Sequence, residues 1–172
     1  MRRALLIAAA VLGLADPARA ATPAPAVADD PGPDAFPHAP GWFLPVGIEL
    51  GGSTAIDGRD GRGGFLVGAE LTLGYLFGTA WAGAFTDARW VTGAGVGRVA
   101  AGLEAGWFVF GAELAYTAEL GGAEPVHGVR FGAVVTLGLA GVAARWCHGV
   151  AGAGAGDDVE VVLLLKWPLP LE

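Results

Sequence analysis

The side chains that could do chemistry are few and evenly dispersed. Carboxylates stand at Glu49, Glu70, Asp87, Glu104, Glu113, Glu119 and Glu160, and cations at Arg89, Arg98, Arg130, Arg145 and Lys166, each within a stretch of apolar or small residues. Glu70 or Glu104 could serve as a general acid or base, and a file of such groups could form a gated ion path. Spacing does not separate those two uses. The simpler account is a structural ion-pair network, because an isolated buried charge is costly and must be paired and hydrogen-bonded.

The remaining candidates are isolated. The three histidines are His38, His127 and His148. The last two fall at strand ends, where Asp157 or Asp158 could complete a surface metal site, but solvated loop histidines are the commoner case. The run 57–64, D-G-R-D-G-R-G-G, lacks the oxygen-ligand spacing of a calcium loop. G-A-G-V-G at 93–97 has the glycines of a phosphate loop but lies between strands with no helix to follow. Ser53 has no base in its segment, and Cys147, the single cysteine, cannot form an intrachain disulfide. No catalytic, metal or cofactor-binding set is expected.

Composition narrows the class. Hydrophobic residues make up 53% of 172 and charged residues 16%, with 30 Gly and 11 Pro. Mean hydropathy is +0.53, too apolar for a disordered chain. There is no Asn or Gln, which excludes N-glycosylation sequons and amide-based sugar recognition. Met1-Arg-Arg, the apolar run Ala4–Ala15 and Ala18-Arg19-Ala20 read as a cleavable signal over residues 1–20. Removing it takes away Arg2, Arg3, Arg19 and Asp16, so the formal charge of −7 becomes −9. A nucleic-acid partner is disfavoured. Residues 21–40, rich in Pro and Ala, read as a disordered leader, leaving 41–172 as the folded domain.

Alternation dominates that domain. In 65–77 the odd positions are Phe65, Val67, Ala69, Leu71, Leu73, Tyr75 and Phe77; four of the six even positions are Gly68, Glu70, Thr72 and Gly74. Successive side chains of a strand point to opposite faces, so the segment is a strand with one apolar face. The same arithmetic gives strands over 42–50, 98–107, 111–120, 128–138 and 160–167, and more weakly over 80–91 and 140–148. Eight strands are expected. The links alternate long and short, as in an up-and-down barrel of defined polarity.

In a soluble barrel the apolar parity would point inward, around an apolar ligand. Here the opposite parity is mostly Gly, Ala, Thr and one or two charges per strand, a thin coat for a water-facing surface but enough to fill a narrow interior. The spacing therefore favours a transmembrane barrel. Trp42, Trp81, Trp90, Trp107, Trp146 and Trp167 all lie near strand ends, where amphipathic rings would form girdles at the headgroups. Trp81 has the wrong parity unless a bulge precedes it.

Signal, strand number, loop alternation, aromatic strand ends and charged interior together resemble small eight-stranded outer-membrane barrels of the OmpA/OmpX type over residues 41–172. Gly47-Ile48-Glu49-Leu50, Gly68-Ala69-Glu70-Leu71, Arg145-Trp146 and Leu165-Lys166-Trp167-Pro168 are also similar to a deltaproteobacterial group of secreted proteins. Such barrels usually close on a terminal aromatic, whereas the sequence here reads W-P-L-P-L-E after Lys166. The resemblance implies an all-β, antiparallel up-and-down barrel in the outer membrane. It would be a monomer, inserted by the outer-membrane assembly machinery into the lipid bilayer, with a structural or surface-interaction role through its loops. A secreted soluble carrier of an apolar ligand and a lipid-modifying enzyme using His127, His148 and Asp157 stay open as alternatives. The four charges Glu70, Glu104, Arg130 and Arg145 should include at least one carboxylate–guanidinium pair across the lumen.

Overall fold

The computed structural model describes residues 40–56, 63–122, 124–152 and 155–170. The expected signal, most of the leader and the D-G-R-D-G-R run at 57–62 lie outside those residues. Eight strands follow in order: β1 (Gly41–Ala55), β2 (Gly64–Phe77), β3 (Ala80–Val91), β4 (Val96–Trp107), β5 (Phe110–Leu120), β6 (Val126–Leu137), β7 (Ala140–Ala151) and β8 (Asp157–Pro170). Each pairs antiparallel with the next, and β1 pairs with β8, so the sheet closes into a barrel with no free edge.

The period-two pattern sets which way each side chain points. On β1, Trp42, Val46 and Ile48 are exposed while Gly47, Glu49 and Ser53 are buried. The same division holds around the cylinder: Leu71 and Leu73 outside with Glu70 and Thr72 inside, Leu103 outside with Glu104 inside, Leu163 and Leu165 outside with Glu160 inside. The soluble-carrier arrangement, with Leu and Val in the lumen and Glu70 and Arg130 on the surface, is the reverse of what is found. An aliphatic minority does point inward, including Leu66, Val91, Val96, Val134, Val162 and Leu164.

Two details differ from the sequence reading. Residue 157 begins β8 rather than ending a loop, so Asp158 shares the inward parity of Glu160. Trp81 needs no bulge: β3 pairs in unbroken register with β2 and β4, and the ring points into the barrel. There it lies against the inner wall where β4 and β5 carry Gly106 and Gly111. A Cβ on either would fall 2.5 or 2.6 Å from the indole. The bulge that does occur is in the β6–β7 pairing, at His127/Gly128.

At one end, three two-residue turns join the strands: Gly78-Thr79, Phe108-Val109 and Gly138-Leu139. The first residue of each has positive φ, at 77°, 56° and 64°. Gly138 meets that requirement without a Cβ, and nothing lies near the position a Cβ would take. Gly138→Ala should therefore cost about 1–2 kcal/mol through backbone strain alone. Gly52→Ala, at an ordinary φ with only one distant contact, should be neutral or slightly stabilising. Urea midpoints of the two refolded variants check the contrast.

Candidate functional site: the charged interior

The strand registers put like charges side by side. Glu70 faces Asp87 across the β2–β3 ladder, Arg89 faces Arg98 across β3–β4, and Glu104 faces Glu113 across β4–β5. Directly opposed like charges repel. Among the described interior charges, only Arg98–Glu119 and Arg145–Glu160 are opposite-sign ladder neighbours. Most compensation must come from across the lumen, and eight strands leave that lumen only wide enough for side chains to meet.

They meet as one connected series. Near the short turns, Lys166 Nζ lies 2.5 Å from Glu70 and 3.2 Å from Glu104. Arg145 spans three carboxylates: Glu49 at 2.7 Å, Glu113 at 2.6 Å and Glu70 at 3.3 Å. The Arg145–Glu70 contact is a cross-lumen pair of the kind expected, whereas Glu104 turns to Lys166 instead. Arg130 contacts Asp87 at 2.6 Å and Glu113 at 3.1 Å, with its guanidinium 5.1 Å from the Phe85 ring centre. Arg89 donates to Asp87 at 2.8 Å and to Glu160. Arg98 reaches Glu160 at 2.9 Å on the diametrically opposite strand, and Asp158 at 2.7 Å and Glu119 at 2.9 Å. Arg130 and Arg145 rank among the largest fully buried side chains. Their planar forks suit such multiple pairing.

Every interior charge proposed from parity therefore lies on the inner face. Asp158 is the one that sequence reasoning placed elsewhere; its i, i+2 spacing from Glu160 was the available signal. The other candidates are drawn apart. Ser53 Oγ accepts a hydrogen bond from Arg98 at 3.1 Å, with no histidine beside it. His127 Nδ1 is 2.5 Å from the Tyr116 hydroxyl, and His148 Nδ1 is 2.5 Å from Asp157. Both histidines face outward, and Asp158 faces the lumen, so these residues do not assemble into one ligand set. Cys147 is buried and free. Among the described residues, the group whose oxygens come close enough for a metal is Glu49, Glu70 and Asp87.

A cavity adjoins the series at each end. At the short-turn end a vestibule of about 570 Å³ is lined by Phe43, Trp81, Phe108 and Thr136, with Glu104 and Lys166 in its wall. At the other end a cavity of about 30 Å³, roughly one water, touches Arg89, Arg98, Glu119 and Asp158. Arg130→Ala would leave Asp87 and Glu113 short of a cation where no solvent reaches. It should destabilise the refolded barrel by about 3–5 kcal/mol. Thr54→Ala, on an exposed strand end, should stay within about 0.5 kcal/mol. Equal urea midpoints would contradict the role given to Arg130.

No protein-family model matches the chain, and no curated protein matches it. Among solved structures, it is similar to Neisserial surface protein A, at 12% identity and a TM-score of 0.44, over 73% of this chain and 95% of that chain.

Proposed function

We propose that the chain is a non-enzymatic outer-membrane barrel. It is exported by its signal and inserted by the assembly machinery as a monomer. Its longer loops meet the outside, and its ion-paired interior holds the cylinder rigid. One observation carries this reading: the apolar residues form the outer surface all the way round while the charges fill the middle. Val46, Ile48, Leu71, Leu73, Leu103, Leu114, Val135, Val142, Val161 and Leu163 are all exposed. Water would penalise that area at roughly 25 cal/mol per Å², whereas a bilayer's hydrocarbon is its natural solvent. No edge strand remains unpaired, which is what hydrocarbon demands of a sheet.

Trp42, Trp107 and Trp167 near the short-turn end and Trp90 and Trp146 toward the other are outward and exposed. They fit interfacial girdles, and Trp81 drops out of that set. The non-enzymatic reading is supported by how the candidate groups are engaged. Glu70 and Glu104 share the Lys166 ammonium, and Ser53 is buried whereas the His148–Asp157 pair lies on the outer face. The role we assign is that of a structural element with surface-interaction loops.

Leu103 lies on the outer face of β4 and is 53% exposed. Leu103→Arg should destabilise the barrel by about 2–4 kcal/mol when refolded into bilayers. A water-facing surface would accept the same arginine with no loss. Recovery of the native protein from the periplasmic fraction without detergent would likewise overturn the membrane reading.

A further inference from the structure

The inner wall changes character at the short-turn end. In mid-barrel it carries the ion-pair series, but beyond Lys166 it turns apolar. Phe43, Pro45, Leu76, Trp81 and Pro168 line the vestibule of about 570 Å³. Glycines clear the wall for its rings. A Cβ on Gly74 would fall 2.6 Å from the Phe43 ring, and one on Gly106 would fall 2.5 Å from the Trp81 indole. Both aromatic side chains are therefore built into the wall and not laid over it.

A third ring comes from the rim. Gly78 and Gly138 take the left-handed position of two turns, but Phe108 takes it in the third, at φ 56°. That conformation is unfavourable for a bulky residue. Strain of this kind clusters where proteins bind or act, and Phe108, half exposed, lines the vestibule. Glu104 and Lys166 add charge to the same wall. The Lys166 ammonium lies 2.5 Å from Glu70 but 3.2 Å from Glu104. Glu70 also has Arg145. Glu104 pairs with Lys166 alone among the described residues, and its ladder neighbour is another acid, Glu113. Of the two carboxylates, Glu104 is the less compensated.

We propose that the vestibule binds a small organic cation, a quaternary or protonated amine carried on an apolar body. Glu104 draws the positive end, and Phe43, Trp81 and Phe108 surround the molecule. Aromatic faces attract a cation through the ring quadrupole, more strongly where water is thinned out. The apolar wall removes the body from water. An anion would have to take Lys166 from Glu70 while lying against Glu104. A metal ion would gain nothing from the rings. The vestibule is formed by inner-wall and turn residues, so the inference does not depend on which solvent meets the outer wall.

Titration of the full chain with benzyltrimethylammonium, followed by NMR of isotope-labelled tryptophan indoles, tests this. The protein is refolded in octyl glucoside micelles, whose sugar heads carry no competing cation. The Trp81 indole N–H resonance, assigned by its loss in Trp81→Phe, should move saturably with the cation. Benzenesulfonate and benzyl alcohol at the same concentration should leave it in place. Glu104→Gln should weaken binding about tenfold, the worth of one charge-assisted contact. Phe108→Gly removes the ring and the backbone strain together, so the turn is kept. It should weaken binding about threefold. No saturable movement of the Trp81 resonance, equal movement with benzenesulfonate or benzyl alcohol, or unchanged affinity in either folded variant would each overturn the proposal. Should Glu104→Gln not fold, the affinity of Phe108→Gly decides alone.

Discussion

Like charges placed side by side in a barrel wall need partners that reach in from other strands, many of them across the lumen, and the rest of this structure depends on that. Glu70 beside Asp87, Arg89 beside Arg98 and Glu104 beside Glu113 would repel in an open sheet. Closing β1 onto β8 brings Arg98 to Glu160, Arg145 to Glu49 and Lys166 to Glu104. The ion pairs therefore reward a closed cylinder of one diameter over an open or wider sheet. A larger barrel would leave the guanidinium groups short of their partners; a smaller one has no room for them. Glycines on the inner parity supply part of that room, as where Gly132 lies against the Glu113 side chain.

Desolvating so many charges is expensive, and a buried ion pair is rarely a net gain over a packed apolar core. The outer surface explains why the arrangement is viable. With Leu, Val, Ile and aromatic residues committed to the outside, the inner parity carries the polar groups that, on the membrane reading, a bilayer-facing surface cannot. The charges do not drive folding so much as specify it, since removing one leaves others exposed to a low dielectric. On the membrane reading, the stabilisation comes from apolar area facing hydrocarbon and from a hydrogen-bond ladder with no free edge.

Much of the fold is legible in the sequence because a strand's period of two leaves little latitude: a one-residue slip would exchange every Leu and Glu between the faces. The strand 65–77 differs from β2 by a single residue at its start. Less legible were the ends, where pairing rather than pattern decides. β1 continues through Ser53 to Ala55 because β8 reaches back to Asp158 to pair with it. Trp81 was misleading because tryptophan at a strand end suits a girdle, yet parity put it inside, and the two glycines on neighbouring strands that accommodate it are visible only once register is known. The individual interior partners are less legible still. Parity placed Arg130 and Arg145 on one face, but which carboxylate each meets depends on the stagger of the closed barrel, a property of all eight registers together.

The most direct test of the inverted surface is a nitroxide scan along β4, with single cysteines at 99 through 106 in a Cys147→Ala background, refolded into bilayers. Odd positions should be accessible to dissolved oxygen and shielded from a water-soluble nickel relaxant. Even positions should be restricted and poorly accessible to both, giving a period of two in phase with Val99, Ala101, Leu103 and Ala105. Nickel accessibility at the odd positions would contradict a lipid-facing apolar wall, and loss of the period would contradict the strand assignment beneath it.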